Sequence, residues 1–132
     1  MGHRRLAREL ALAALYESEF HNTSYAAVVL RLKTDQELKD EVVSFLEQLL
    51  KAYVTIQDKV NTEIESHSSH WKISRMAIID RNILRLGITE LLSLTDIPKN
   101  VTINEYLEIA KKFGTEDSCS FVNGILDKIE KK

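Results

Sequence analysis

From Leu38 to Ile64, apolar side chains recur every three or four residues: Leu38, Val42, Phe45, Leu46, Leu49, Tyr53, Ile56, Val60 and Ile64. Held over about 27 residues, that spacing draws one apolar stripe along a helix near 40 Å long, enough to cross a domain of this size. A chain committed to such a rod has few ways to bury it except against other helices. The rest of the sequence agrees. It contains one proline and four glycines, and no stretch sustains the two-residue alternation of a half-buried strand. The expected fold class is all-α.

The other elements follow from the same periodicity. A first helix is expected over roughly residues 4–20, with Leu6, Ala7, Leu10, Ala11 and Ala14 on one face and Arg4, Arg5 and Arg8 in the opposite sector. Residues 21–24 form a polar break, and a short helix follows to about Leu32. Thr34 with Glu37 reads as a capping box that opens the long helix, which runs toward Glu65. Residues 66–70 are the most loop-like tract. Trp71 then begins a segment whose main helix, with Ser74 as a cap, is expected to reach about Leu94. Met76, Ile78, Ile79, Ile83, Leu84, Leu86, Ile88, Leu91, Leu92 and Leu94 lie nearly all round it, so this helix should be central. Pro98 blocks further extension because it lacks an N–H and biases its predecessor toward extended geometry. Thr102 and Glu105 make another capping box, Gly114 stands where a left-handed C-terminal cap is needed, and Thr115 can cap the last helix. Two helices then meet at a very short corner. With no repeat, low-complexity tract or linker, one compact domain over residues 1–132 is expected.

Charge narrows the function. The net charge of −2 argues against a general nucleic-acid coat, yet Arg4, Arg5 and Arg8 are opposed locally only by Glu9. Spaced three and four apart on a helix, these guanidinium groups can reach successive phosphates or stack on unpaired bases; the alternative is a solvated helix face. Tyr16, on a face adjacent to Arg5, offers a ring for stacking, or else is a half-buried core tyrosine. At the corner, Lys111, Lys112, Thr115 and Ser118 present cations, hydroxyls and N–H groups suited to phosphate or sugar. Asp117 can accept from a base amino group, while Glu116 serves the helix dipole. Asp80, Arg81 and Glu90, on so apolar a helix, must break surface or be paired.

Other classes find little support. His67 and His70 lack companions at zinc spacing, so no metal site is expected. No glycine loop of the Walker or dinucleotide type is present. Cys119, the single cysteine, has no partner for an internal disulfide and reads as a small core thiol. The start lacks the apolar core of a signal peptide, and no apolar run approaches a membrane span, so the expected location is the cytoplasm.

Three blocks carry a resemblance. They are Arg4-Arg5-Leu6-Ala7-Arg8-Glu9-Leu10-Ala11 with Ala14-Leu15-Tyr16, then Asp80-Arg81-Asn82-Ile83-Leu84-Arg85-Leu86-Gly87 with Glu90-Leu91-Leu92, then the segment from Ile97-Pro98-Lys99 through Lys111-Lys112-Phe113-Gly114-Thr115-Glu116-Asp117-Ser118 into Phe121-Val122-Asn123-Gly124-Ile125-Leu126. In order and spacing they resemble the NusB family of RNA-binding transcription antitermination factors. The resemblance implies a NusB-like bundle of about six to seven helices with no enzymatic activity and no cofactor. It implies an RNA site in which the corner lies beside the first helix, built from Arg4, Arg5, Arg8, Tyr16, Lys111, Lys112, Thr115, Asp117 and Ser118. It also implies that the central helix, with Asp80, Arg81 and Glu90, helps form a surface for the small-subunit ribosomal protein that acts in transcription as NusE. The pair would bind single-stranded boxA RNA in ribosomal RNA leaders and join the RNA polymerase antitermination complex. Family members are described as monomers and as homodimers, and the sequence leaves that choice open. Tyr106 departs from the small residue more usual there. Two rival readings remain. One is the NusB-like accessory domain of a ribosomal RNA methyltransferase, whose catalytic part would need an α/β domain and active cysteines. The other is a helical scaffold without an RNA role.

Overall fold

The computed structural model describes residues 2–68 and 72–130. His70 and Trp71, which the sequence reading placed in and just after the loop-like tract, lie outside the described residues. Six α-helices and one 3-10 turn are present, with no strand among the described residues: α1 (His3–His21), α2 (Tyr25–Asp35), α3 (Asp40–His67), the 3-10 turn (Ile73–Arg75), α4 (Ile78–Ser93), α5 (Lys99–Phe113) and α6 (Ser118–Leu126). They form two compact units, one ending at Lys51 and the other starting at Ala52, so that α3 contributes to both.

In the first unit α1 packs on α2. Ala7, Ala11 and Ala14 are fully buried on the face of α1 that their spacing predicts, and their small side chains allow a close helix–helix approach. Asn22 ends α1 in the left-handed conformation, at φ 51°, which asparagine tolerates better than most residues. Ser24 then opens α2 by accepting the Ala27 N–H at 3.2 Å. The capping box at Thr34 does not form. Thr34 sits in the last turn of α2 and its hydroxyl donates to the Leu30 carbonyl at 2.9 Å. The long helix starts instead at Asp40, with Asp40 and Glu41 in its first turn where carboxylates complement the helix dipole. It continues to His67, through part of the tract expected to be loop, and Ile56 is non-helical at φ −120°, ψ 21°. Val54, Thr55 and Ile56 are three successive β-branched residues, the stretch of α3 with the lowest intrinsic preference for helix.

In the second unit α4, α5 and α6 pack against one another. As expected of a central helix, α4 buries Ile83, Leu84, Leu86, Ile88 and Leu91 completely. Gly87 faces both α6 and α5: a Cβ there would stand 3.0 Å from a methyl of Leu126 and 3.5 Å from the Tyr106 ring. The start of α4 differs from expectation. Ser74 is in the separate 3-10 turn, and α4 begins after Ala77 without a side-chain cap. Likewise α5 begins at Lys99 directly after Pro98, so Thr102 is an interior residue. Its hydroxyl is buried and has no hydrogen-bond partner among the described residues.

Candidate nucleic-acid interface

The three arginines of α1 do not share one solvated sector. Arg4 is exposed and Arg5 is half-buried, but Arg8 is only 2% exposed. Arg4 and Arg8, one turn apart, both hold their guanidinium carbons over the Phe45 ring, at 5.1 and 5.2 Å from its centroid. A guanidinium is weakly hydrated and planar, so an aromatic face can take part of its solvation shell. Arg8 has therefore left the surface as a packed cation. The solvated sector expected for Arg8 is corrected by its burial; of the three, Arg4 is exposed and Arg5 half-buried. Tyr16 is 39% exposed, and Phe20, one turn further, is 57% exposed. Their ring centroids lie 4.9 Å apart with planes tilted by 50°. Phe20 escaped the sequence reading, although its i, i+4 relation to Tyr16 was there to be seen.

The corner between α5 and α6 is built around Ser118. Its side chain is 1% exposed and its hydroxyl donates to Asp80 Oδ1 at 2.6 Å while accepting the Thr115 N–H at 2.9 Å. One oxygen thus joins the first turn of α4 to the corner and the start of α6. Ser118 was expected to face RNA; the structure instead buries it and holds its hydroxyl in these two bonds. Gly114 is not left-handed. At φ −93°, ψ −166° its backbone is extended, open to any residue by conformation alone. What excludes a side chain is space: a Cβ would sit 2.6 Å from Ser118 Cβ and 2.8 Å from the Ala110 carbonyl oxygen. Thr115 does not cap α6 either, since Asp117 occupies that position and its side chain makes no cap bond.

Around this joint the polar side chains are open. Lys111, Lys112, Thr115 and Asp117 are all exposed. Lys111 pairs with Glu108 at 3.1 Å, and the Lys112 ammonium lies 5.3 Å from the Phe113 ring centroid. Exposed pairs of this kind contribute little to stability and exchange readily for a phosphate. Beside them Arg75, Met76, Ala77, Asp80, Asp117 and Phe121 line a cavity of about 260 Å³. Its lining combines apolar groups with one guanidinium and two carboxylates, one of which, Asp80, is held by Ser118. Arg75 and Phe121 were missed in sequence because they come from the 3-10 turn and from α6, joined only by the packing of α4.

The three residues expected on a protein-binding surface fare differently. Asp80 is half-buried and bound to Ser118. Arg81, also half-buried, donates to the carbonyls of Ile73 and Met76, at 3.4 and 3.2 Å, and so ties the 3-10 turn to α4. Glu90 is fully buried and accepts the Tyr106 hydroxyl, which removes it from any surface. A buried carboxylate requires partners, and Tyr106 supplies one. Elsewhere, Cys119 is half-buried with its thiol 3.4 Å from the Leu107 carbonyl, and His67 lies 3.2 Å from Glu63. Among the described residues no three His, Cys, Asp or Glu side chains gather as a metal site, and no helix is long and apolar enough to cross a membrane.

Comparison with known proteins places this geometry. The NusB family model matches residues 5–131. The transcription antitermination protein NusB of Geobacter sulfurreducens is 47% identical over 131 residues, an alignment covering 98% of this chain and 94% of that protein. Among solved structures, NusB of T. maritima superposes with a TM-score of 0.86 at 33% identity, covering 95% of this chain and 88% of that one. The NusB chain solved with NusE and double-stranded RNA also gives a TM-score of 0.86, at 25% identity, with 96% and 95% covered.

Proposed function

The chain belongs to the NusB family, and on that premise we propose that it is a transcription antitermination factor that binds single-stranded boxA-type leader RNA together with a NusE ribosomal protein. Its action is recruitment. Cations and rings hold the RNA, the protein partner extends the surface, and the assembly helps RNA polymerase resist termination during ribosomal RNA transcription. No bond is made or broken, so no catalytic residue is needed. The observation that carries the reading is the set of RNA-compatible side chains with access to solvent: exposed Arg4 and Tyr16 with half-buried Arg5 on α1, and exposed Lys111, Lys112, Thr115 and Asp117 at the corner. In an acidic chain such local basic groups give specific, assisted binding a physical basis that non-specific coating lacks. Support comes also from the relatives, named as antitermination proteins, and from the likeness to a NusB chain solved with NusE and RNA.

The partner surface is proposed around Asp80 and Arg75, beside the cavity that Asp117 and Phe121 share. Arg81 holds that surface in shape through the Ile73 and Met76 carbonyls. The deciding experiment is binding of a labelled boxA-like RNA, with and without the NusE-type protein, against a scrambled RNA. Tighter binding of the boxA-like RNA in the partner's presence is expected. A partner that binds without altering RNA affinity at any ratio refutes a shared RNA surface. A protein that binds neither is a scaffold.

A further inference from the structure

Two large aromatic rings stand open to water on one helix. On α1, Phe20 is 57% exposed and Tyr16 39% exposed, and with Ala13, Glu17 and His21 they line a groove of about 400 Å³. The rings meet at a tilt of 50° with their centroids 4.9 Å apart. Glu17, on the groove wall, is not an unbalanced anion. It binds Arg31 of α2, and its hydrogen bond and charge, followed by those of Asp35, raise the guanidinium pKa above the ordinary arginine value. The groove offers two partly exposed aromatic rings, a methyl group, an imidazole and a carboxylate whose charge is locally matched.

We propose that this groove seats unpaired nucleobases, with Phe20 stacking the base next to the one on Tyr16. The inference rests on the RNA-binding reading above and adds to it a contact residue and a subsite. Two observations favour RNA over a protein segment. Flat, tilted rings bordered by hydrogen-bonding groups match a base, which has a π-face on every nucleotide and polar groups at its edge. The groove also continues a basic track: at about 100° per residue Tyr16 falls within about 20° of Arg5 around the helix, and Phe20 within about 60°. At about 1.5 Å per residue the rings lie roughly 16 and 22 Å beyond Arg5. A strand whose phosphates meet Arg4 and Arg5 needs only a few nucleotides to bring bases onto the rings.

The test uses the full chain and a fluorescent boxA-like single-stranded RNA, titrated by anisotropy across a salt series, alone and with the NusE-type partner. Phe20→Ala and Phe20→Leu are expected to weaken binding by roughly 5- to 100-fold, because leucine keeps apolar area but not the π-face. Phe20→Tyr should bind like the parent. The salt slope should stay unchanged in all three, since stacking releases no counterions, whereas Arg4→Ala/Arg5→Ala should lower it. Parental affinity in both the alanine and leucine variants, alongside a weakened double arginine variant, overturns this inference and leaves the RNA-binding reading standing. Failure of the parent protein to bind RNA under either condition overturns both. A Phe20→Ala protein that dissociates from dimer to monomer in sedimentation while keeping its RNA affinity marks the groove as a self-association face, and the proposal fails.

Discussion

Ser118→Ala removes one oxygen from the point where α4, the corner and α6 are joined. The hydroxyl gives a 2.6 Å hydrogen bond to the Asp80 carboxylate and receives the Thr115 N–H at 2.9 Å. A hydrogen bond to a charged group contributes about 1.5–3 kcal/mol, and a backbone donor left dry costs about 1–3 kcal/mol. Both neighbours retain some access to water, Thr115 being exposed and Asp80 half-buried, so rehydration offsets part of each loss. The expected destabilisation is about 2–3 kcal/mol, read as a lower urea midpoint with an unchanged m-value. Asp80→Asn keeps an acceptor but loses the charge, at about 1 kcal/mol. Because the two substitutions act on one bond, the double variant should fall short of the sum by about 1 kcal/mol. A loss below about 0.5 kcal/mol for Ser118→Ala, the range of ordinary surface changes, refutes this account of the corner. So does strict additivity.

Three further outcomes are expected. Gly114→Ala should cost about 1–3 kcal/mol by overpacking against Ser118 and the Ala110 carbonyl, and Gly114→Val more, which thermal melts will show; if the Gly114→Asn protein, which favours left-handed backbone, proves as stable as the parent, steric exclusion is not the reason for glycine. The Arg4→Ala/Arg5→Ala protein should keep its circular dichroism spectrum and melting point while its log–log salt slope for RNA falls by about 1.4, at roughly 0.7 per phosphate contact, whereas Arg8→Ala should lose stability; parental RNA binding by the double variant across the salt range would remove α1 from the RNA site. Tyr106→Phe should destabilise by about 1–3 kcal/mol, by stripping a hydrogen bond from the buried Glu90, without changing affinity for the NusE-type protein; a selective loss of partner binding would return Glu90 to the interface.

Helix content and the central position of α4 were legible because periodicity reports which faces are buried, and burial is what the fold enforces. Helix ends were less so. Thr34, Ser74 and Thr102 each have a hydroxyl followed by plausible helix, yet none caps one, because where a helix begins depends on which turn the next element covers. Gly114 was placed at the corner for a conformational reason and belongs there for a steric one. The distinction needs the position of Ser118, four residues on. The same holds for the site. A wheel of α1 counts Arg8 as solvent-facing, but Phe45 comes from α3 and takes it out of water. Nor does sequence reveal that Glu90 has Tyr106 for a neighbour, sixteen positions away. Charge and hydroxyl content mark where a site lies; which groups remain open in it is decided by partners brought from elsewhere in the chain.

Lys99 has a consequence for how the second unit opens. From the first turn of α5 its ammonium reaches the carbonyls of Asp127 and Ile129, at 2.9 and 2.7 Å, just past the end of α6. A nine-residue helix has little stability of its own and frays from its ends. Here the fraying end is held by the residue that starts the preceding helix, so the two helices and the corner between them should open to solvent as one cooperative block. Amide exchange at Lys128 and Ile129 should then slow when RNA engages the corner, although neither residue is proposed to touch it. In Lys99→Met, those amides should exchange faster while the amides of α4 keep their protection.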